Sequence, residues 1–148
     1  MVGEHDGYCK SLGVRHVRRI RRVETGFFID DQLVGNKRLL PVTLRFLCDP
    51  GVSIAPDGDN VVISGRRGVL CRIAPPRGFV ADIMETVHSQ RFGHLAPTSQ
   101  IILAGELTND IATTDIAVAG QAKTLAHIGS GEVAAARAQS DVREKAWH

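Results

Sequence analysis

The sequence predicts an antiparallel all-β sandwich, and three observations lead to that prediction. Between residues 39 and 73, short apolar runs alternate with turn residues at a spacing typical of strands. Residues 41–48 place an apolar side chain at every second position, which is the period of a half-buried strand. Turn residues recur at 49–51 and 56–60, between apolar runs that they separate into strands. Counted along the chain, such segments predict about eight to ten strands, a size typical of sandwiches.

Length and composition favour one globular domain without membrane contact. The chain has 148 residues and a net charge of +2, and its apolar content of 43% is high enough to form a core. No apolar run approaches the roughly 20 residues of a membrane helix. Residues 1–6 lack the basic and apolar regions of a signal peptide. Taken by itself, the sequence therefore predicts a cytoplasmic protein.

The first strand is predicted over residues 14–23, the most basic stretch of the chain. Its apolar positions recur every third residue, at Val14, Val17, Ile20 and Val23. That spacing also fits a helical stripe. However, all four side chains are β-branched and Gly13 precedes them without an N-cap, so we predict a strand. Residues 4–8 are interpreted as a polar lead-in, and residues 27–34 as the second strand.

Four strands of a single meander are predicted in the middle of the chain. They cover residues 41–48, 52–55, 61–63 and 69–73. The turn at residues 56–60 should bring the third of these strands back antiparallel to the second.

The second half of the chain is predicted to continue the sandwich. Residues 79–89 fit a strand, with Phe79, Ala81, Ile83, Glu85 and Val87 on its buried face, although a helix over residues 81–90 fits as well. Residues 93–97 are interpreted as a loop. Shorter strands follow at residues 100–104 and 111–118. After Gly120 the composition becomes rich in alanine, so we expect a helical or disordered tail over residues 121–148, outside a β domain of residues 1–120.

Motifs of known catalytic or cofactor chemistry are absent from the sequence. There is no nucleophile elbow, phosphate-binding loop, dinucleotide fingerprint or zinc-binding helix motif. His88 and His94 have no third donor nearby, so we predict no metal site. The cysteines Cys9, Cys48 and Cys71 are odd in number and lack CxxC spacing, which indicates free, mostly buried thiols. We predict no cofactor.

The basic stretch is the one feature that suggests binding. Its arginines are Arg15, Arg18, Arg19, Arg21 and Arg22. On a strand they would form rows on one or both faces, able to contact sulfates, carboxylates or phosphates. A solvated edge strand explains the same charges without a ligand, because charge discourages edge-to-edge pairing. Nucleic acid is disfavoured, since the five Phe, one Tyr and one Trp are not interleaved with the arginines.

Several short segments, taken in order, resemble the C-terminal part of the heparinase II/III-like family. They are EHDGY at 4–8, RHVRR at 15–19, FIDDQL at 28–33, LRF at 44–46 with DPGV at 49–52, ETV at 85–87 and SQIILAG at 99–105. The resemblance spans residues 3–118. Members of the family are polysaccharide lyases that act on acidic glycans and join a helical toroid to a large β-sandwich. The resemblance implies that this chain holds only the later strands of that sandwich.

The resemblance does not extend to the family's catalytic segments. The family abstracts the proton beside a uronate carboxylate with a tyrosine, an asparagine and histidines on the toroid and the first sandwich strands. No residue of this chain matches those segments or the strands that supply the family's structural metal, so we predict no catalytic residue, no metal ligand and no lyase activity for the chain alone. Where the family has a His-Leu-His-Pro-like strand end, this chain has residues 47–50 (LCDP), and His88 replaces a tyrosine.

Two functions follow from the resemblance as expectations. The first is a non-catalytic C-terminal module, or truncated remnant, of such a lyase. The second is a stand-alone module that binds acidic polysaccharide through the arginines of residues 15–22. A partial sandwich exposes apolar surface and open edges, so we also expect self-association or a toroid-domain partner subunit. Family members are often periplasmic, which contrasts with the cytoplasmic location expected from this chain.

Overall fold

The computed structural model of the protein describes residues 1–35 and 37–120, without the side chain of Gln90. The tail predicted over residues 121–148 lies outside the described residues. In chain order the described elements are β1 (Val2–His5), α1 (Cys9–Leu12), β2 (Arg15–Val23), β3 (Gly26–Val34), β4 (Leu40–Leu47), β5 (Ser53–Asp57), β6 (Asn60–Gly65), β7 (Gly68–Ala74), β8 (Val80–Arg91), β9 (His94–Leu107) and β10 (Ile111–Val118). Within this part of the chain, no helix has the length and apolarity that crossing a membrane requires.

The strands form two antiparallel sheets. The larger sheet has seven strands in the order β1-β2-β3-β10-β7-β6-β5, and the smaller has three in the order β4-β9-β8. Each strand pairs antiparallel with its neighbours. The predicted all-β antiparallel sandwich is therefore confirmed, and the ten strands of the described residues fall within the predicted range.

The core lies between the two sheets. Its most deeply buried side chains include Val61 of β6, Ile73 of β7, and Ile101 and Leu103 of β9. In β4 the predicted alternation is confirmed, because Leu44 is buried while its neighbours on either side are exposed. Burial of these aliphatic side chains supplies most of the stabilisation that holds the sheets together.

Of the four strands predicted to form one meander, three do so and the first does not. Strands β5, β6 and β7 do form a meander, and β6 returns antiparallel to β5 as predicted. Strand β4 instead belongs to the smaller sheet, where it pairs with β9 from Leu40 opposite Leu107 to Leu47 opposite Gln100. Its alternation indicates that one face is buried but carries no information about which sheet the strand joins.

Strand β2 is not an edge strand. The alternative explanation of its charges, a solvated edge strand, is therefore wrong. The predicted polar lead-in contains β1, which pairs with β2 and forms the sheet edge itself. Strand β1 is exposed along its whole length, so it shows no apolar alternation for a sequence pattern to detect. The predicted strands over residues 14–23 and 27–34 are confirmed as β2 and β3.

The β8–β9 hairpin is longer than predicted. The segment predicted at 79–89 is a strand from Val80 to Arg91, so the helical alternative is wrong. The loop predicted at 93–97 is wrong because β9 already begins at His94. Ala81 and Ile83 pack against the core as predicted, whereas Glu85 is exposed and Val87 is 55% exposed. Strand β4 pairs with β9 only as far as Gln100, so the outer part of the hairpin is a two-stranded ribbon.

Candidate functional site

The candidate site is β2, whose arginines divide between the two faces of the larger sheet. Because side chains alternate along a strand, Arg18 and Arg22 lie on the inner face, toward the smaller sheet. The remaining members of the predicted set lie on the outer face: Arg15, Arg19 and Arg21. The contact of Arg18 with Phe46 of β4 fixes this assignment. Rows on both faces therefore exist, but neither face carries all the positive charge.

The inner face holds a buried ionic cluster centred on Asp31 of β3, which is only 1% exposed. Arg18 donates to both of its carboxylate oxygens, from Nε at 2.8 Å and from Nη2 at 3.0 Å. Nε2 of His16 lies 2.6 Å from Oδ1 of the same carboxylate. A buried carboxylate requires such partners, since an unpaired charge costs several kcal/mol in the interior. Asp31 therefore holds Arg18 and His16 in structural roles.

Arg18 also joins the two sheets. Its guanidinium carbon lies 5.8 Å from the centre of the Phe46 ring, a distance typical of a cation–π contact. The same guanidinium therefore binds Asp31 in its own sheet and an aromatic ring in the facing sheet. An incoming anion would have to displace the carboxylate of Asp31 to reach Nε and Nη2 of this guanidinium.

The outer face holds a second cluster, centred on Asp30. Arg21 donates to its two carboxylate oxygens, from Nε at 2.8 Å and from Nη2 at 3.2 Å. The hydroxyl of Thr113 on β10 donates to Oδ1 at 2.8 Å. The guanidinium of Arg21 also lies 5.1 Å from the ring centre of Phe28. Hydrogen bonding to Asp30 raises the pKa of Arg21, so this arginine too is held by an internal carboxylate.

The three other arginines of β2 have weaker partners or none. Arg15 lies 3.4 Å from a carboxylate oxygen of Glu4 on β1, and both side chains are exposed. Arg19 and Arg22 have neither an ion pair nor a side-chain hydrogen bond to any of the described residues. Arg22 pairs in register with Phe27, whose side chain is 38% exposed.

Phe27 owes its position to Gly26 at the start of β3. Gly26 has a φ of 155°, and a Cβ atom at this position would lie 1.9 Å from the carbonyl oxygen of Ile116. Only glycine lets the backbones of β3 and β10 approach this closely. Phe27 is thereby held in a cross-strand row of the larger sheet, between Arg22 on β2 and Ile116 on β10.

The other polar groups of the described residues do not assemble a second site of this kind. An open cleft of about 390 Å³ lies between residues 56–61 and 79–83, and its charged lining residues are Asp59 and Asp82. His88 and His94 lie in the outer hairpin. No group of three potential metal ligands occurs among the residues that the structure describes. Burial raises the pKa of the Cys48 and Cys71 thiols, which keeps both protonated near neutral pH.

The sequence prediction missed Asp30 and Asp31, the partners that decide what the arginines do. A signal was present, since two consecutive aspartates inside a strand must point to opposite faces. Their partners could not be inferred, because the pairing depends on the register between β2 and β3.

Comparison with known proteins gives one match. A family model described as "Heparinase II/III-like, C-terminal" matches residues 1–137. The match extends past residues 3–118, the segments that carry the resemblance in the sequence. No curated protein and no solved structure matches the chain.

Proposed function

We propose that this chain, which belongs to the heparinase II/III-like C-terminal family, acts as a non-catalytic β-sandwich module of a polysaccharide lyase. One observation carries the proposal: the two most elaborate polar clusters of the described residues are internal ties. Asp31 and Asp30 engage Arg18 and Arg21, and each guanidinium also lies against an aromatic ring. Such clusters fix the position of a strand, and their own carboxylates are already bound by arginine.

The chemistry of the family supports the same conclusion. Elimination from a uronate requires a base, an acid for the leaving oxygen and a group that neutralises the carboxylate, all near one carbon. Tyr8 is exposed beside α1 with its ring 5.6 Å from that of His5, and His16 is bound to Asp31. In the cleft between residues 56–61 and 79–83 the charged lining residues are Asp59 and Asp82, whose charges would repel a uronate.

A lyase assay tests this proposal. Purified protein is mixed with heparin, heparan sulfate or alginate, and the ultraviolet absorbance of the unsaturated product is followed. We expect no rise, while a heparin lyase added to the heparin sample gives one. A rise that is absent from a mock purification, and is lost in Tyr8→Phe or His16→Ala, would show that the module is catalytic.

A second candidate function is the binding of acidic polysaccharide by the same module. It is supported by Arg19 and Arg22, which have no carboxylate partner among the described residues. An unpaired surface arginine can bind a sulfate or carboxylate bidentately without losing an internal contact. Salt-sensitive binding to heparin is the expected result. Equal affinity for DNA of the same charge density would reduce it to unspecific electrostatics.

A further inference from the structure

We propose that Arg22 and Phe27 form a contact site for one acidic sugar residue, with Arg22 binding its carboxylate or sulfate and Phe27 contacting the apolar face of its ring. The proposal rests on the second candidate function, polysaccharide binding, and assigns that function to one end of β2. It separates Arg22 from the other four arginines of the predicted set, which have different surroundings.

Three arginines of β2 lie beside a phenylalanine, and two of these pairs are complete. Arg18 lies over Phe46 and binds Asp31, while Arg21 lies over Phe28 and binds Asp30. Both clusters thus combine a guanidinium, a carboxylate and an aromatic ring. The third pair, Arg22 and Phe27, has the guanidinium and the ring but no carboxylate from the described residues.

The third pair is accessible. Arg22 is exposed and Phe27 is 38% exposed. The two cation–ring contacts found among the described residues involve Arg18 and Arg21, so neither of them covers the ring of Phe27. Glu24 follows two residues later but forms no ion pair with Arg22. A carboxylate or sulfate from outside can therefore take the place that Asp30 and Asp31 occupy in the complete clusters.

The row that contains the pair also has a graded surface. From Arg22 it passes through Phe27 and Ile116 to Ile73 of β7, with residues in register across the strands. Exposure falls along the row, from exposed Arg22 through 38% for Phe27 to 3% for Ile73. This arrangement offers a charged group at one end and an apolar surface next to it. It matches a sugar that carries its anion at one edge of its ring.

Arg19 provides a matched control on the opposite face. It carries the same charge as Arg22 and also lacks an ion pair to the described residues. Its register neighbours are Val2 and Asp30, so it has no aromatic ring opposite it. Arg19→Gln and Arg22→Gln therefore change the net charge equally and differ only in the site removed.

The test measures binding of size-defined heparin and alginate oligosaccharides by calorimetry to four variants and the wild type. Arg22→Gln should weaken binding about tenfold, the effect of losing one charge-assisted hydrogen bond. Arg19→Gln should weaken it by no more than about threefold, as expected for a screened surface charge. Phe27→Leu should weaken it about fivefold through loss of the ring contact. Phe28→Leu, whose ring is covered by Arg21, should leave binding unchanged.

The two ligands separate the two anions. A loss with both oligosaccharides assigns the Arg22 contact to a carboxylate, and a loss with heparin alone assigns it to a sulfate. Equal losses for Arg19→Gln and Arg22→Gln would overturn the contact site while leaving polysaccharide binding in place. Competition by single-stranded DNA at equal charge concentration would overturn it as well. If the wild type binds neither oligosaccharide, the second candidate function itself fails. Arg22 is exposed, so its variant should keep the wild-type circular dichroism spectrum.

Discussion

At the scale of single residues, Asp30 and Asp31 show how neighbours in sequence serve opposite faces of a sheet. Asp31 is buried with Arg18 and His16 on the inner face, and Asp30 is buried with Arg21 and Thr113 on the outer face. Each carboxylate is compensated by charge-assisted hydrogen bonds, which makes its burial tolerable. The two aspartates thus hold β2 against β3 from both sides.

Asp115 of β10 is the contrasting case. It lies on the outer face between Phe28 and Ala74, and no hydrogen bond or ion pair joins its side chain to the described residues. Burial raises its pKa above the ordinary value, because the charged form loses hydration without gaining a partner. The folded protein therefore binds a proton at Asp115 more tightly than the unfolded chain does.

The sign of the resulting pH dependence follows from linkage. Stability should fall as the pH rises from the ordinary aspartate pKa through the raised one, and stay lower above it. We predict that Asp115→Asn raises the melting temperature at pH 7. The gain in unfolding free energy should be less than about 1 kcal/mol, because the group is partly hydrated. The advantage should vanish at about pH 3, where both states are protonated. Asp59→Asn, in the exposed β5–β6 turn, is the control, and a lower melting temperature for Asp115→Asn at pH 7 would contradict the prediction.

At the scale of elements, the junction of β3 with β10 depends on Gly26. We predict that Gly26→Ala destabilises the fold by about 3 kcal/mol or more, since the new methyl group meets the carbonyl of Ile116 in a backbone conformation that is already unfavourable for alanine. The control is Gly58→Ala, at a φ of 59° with open space around it, which should cost only about 1 kcal/mol.

Urea denaturation measures both glycine variants. The same loss of stability in the two would show that backbone conformation alone, and not the close approach of β3 to β10, accounts for the effect. Because Gly26 positions Phe27, a folded Gly26→Ala variant should also bind heparin oligosaccharide less well than Gly58→Ala.

At the scale of the whole molecule, the two sheets differ in width, with seven strands facing three. Strand β8 is an open edge of the smaller sheet, although one of its backbone amides, that of Ile83, donates to Asp82 Oδ1. The outer hairpin carries several exposed large apolar side chains: Met84, Val87, Phe92 and Leu95. Open edges and clustered apolar groups favour association with another surface.

We propose that the isolated chain self-associates through this hairpin, in the absence of a toroid-domain partner. Sedimentation velocity at increasing concentration should show association, and a Phe92→Ser, Leu95→Ser double variant should weaken it about tenfold or more through lost apolar contact. A Leu12→Ser, Leu39→Ser variant removes two exposed leucines elsewhere and should change little. A wild type that stays monomeric at every concentration would contradict the proposal.

The sequence by itself determined the local features of this protein. Alternation in residues 41–48, β-branched residues in 14–23 and turn residues at 56–60 specify strands and reversals, because these depend on neighbouring residues alone. The order of short segments also indicated the heparinase II/III-like family, which the match over residues 1–137 confirms.

Only the tertiary structure decided which distant residues meet. It paired β4 with β9 in the smaller sheet and not with β5. It also paired Arg18 with Asp31, while leaving Arg22 beside Phe27 without a carboxylate among the described residues. Strand pairing and register are set by packing between segments far apart in the chain, and a shift of one residue would exchange the faces of every side chain. The fate of each arginine of β2 therefore depends on contacts that no local pattern contains.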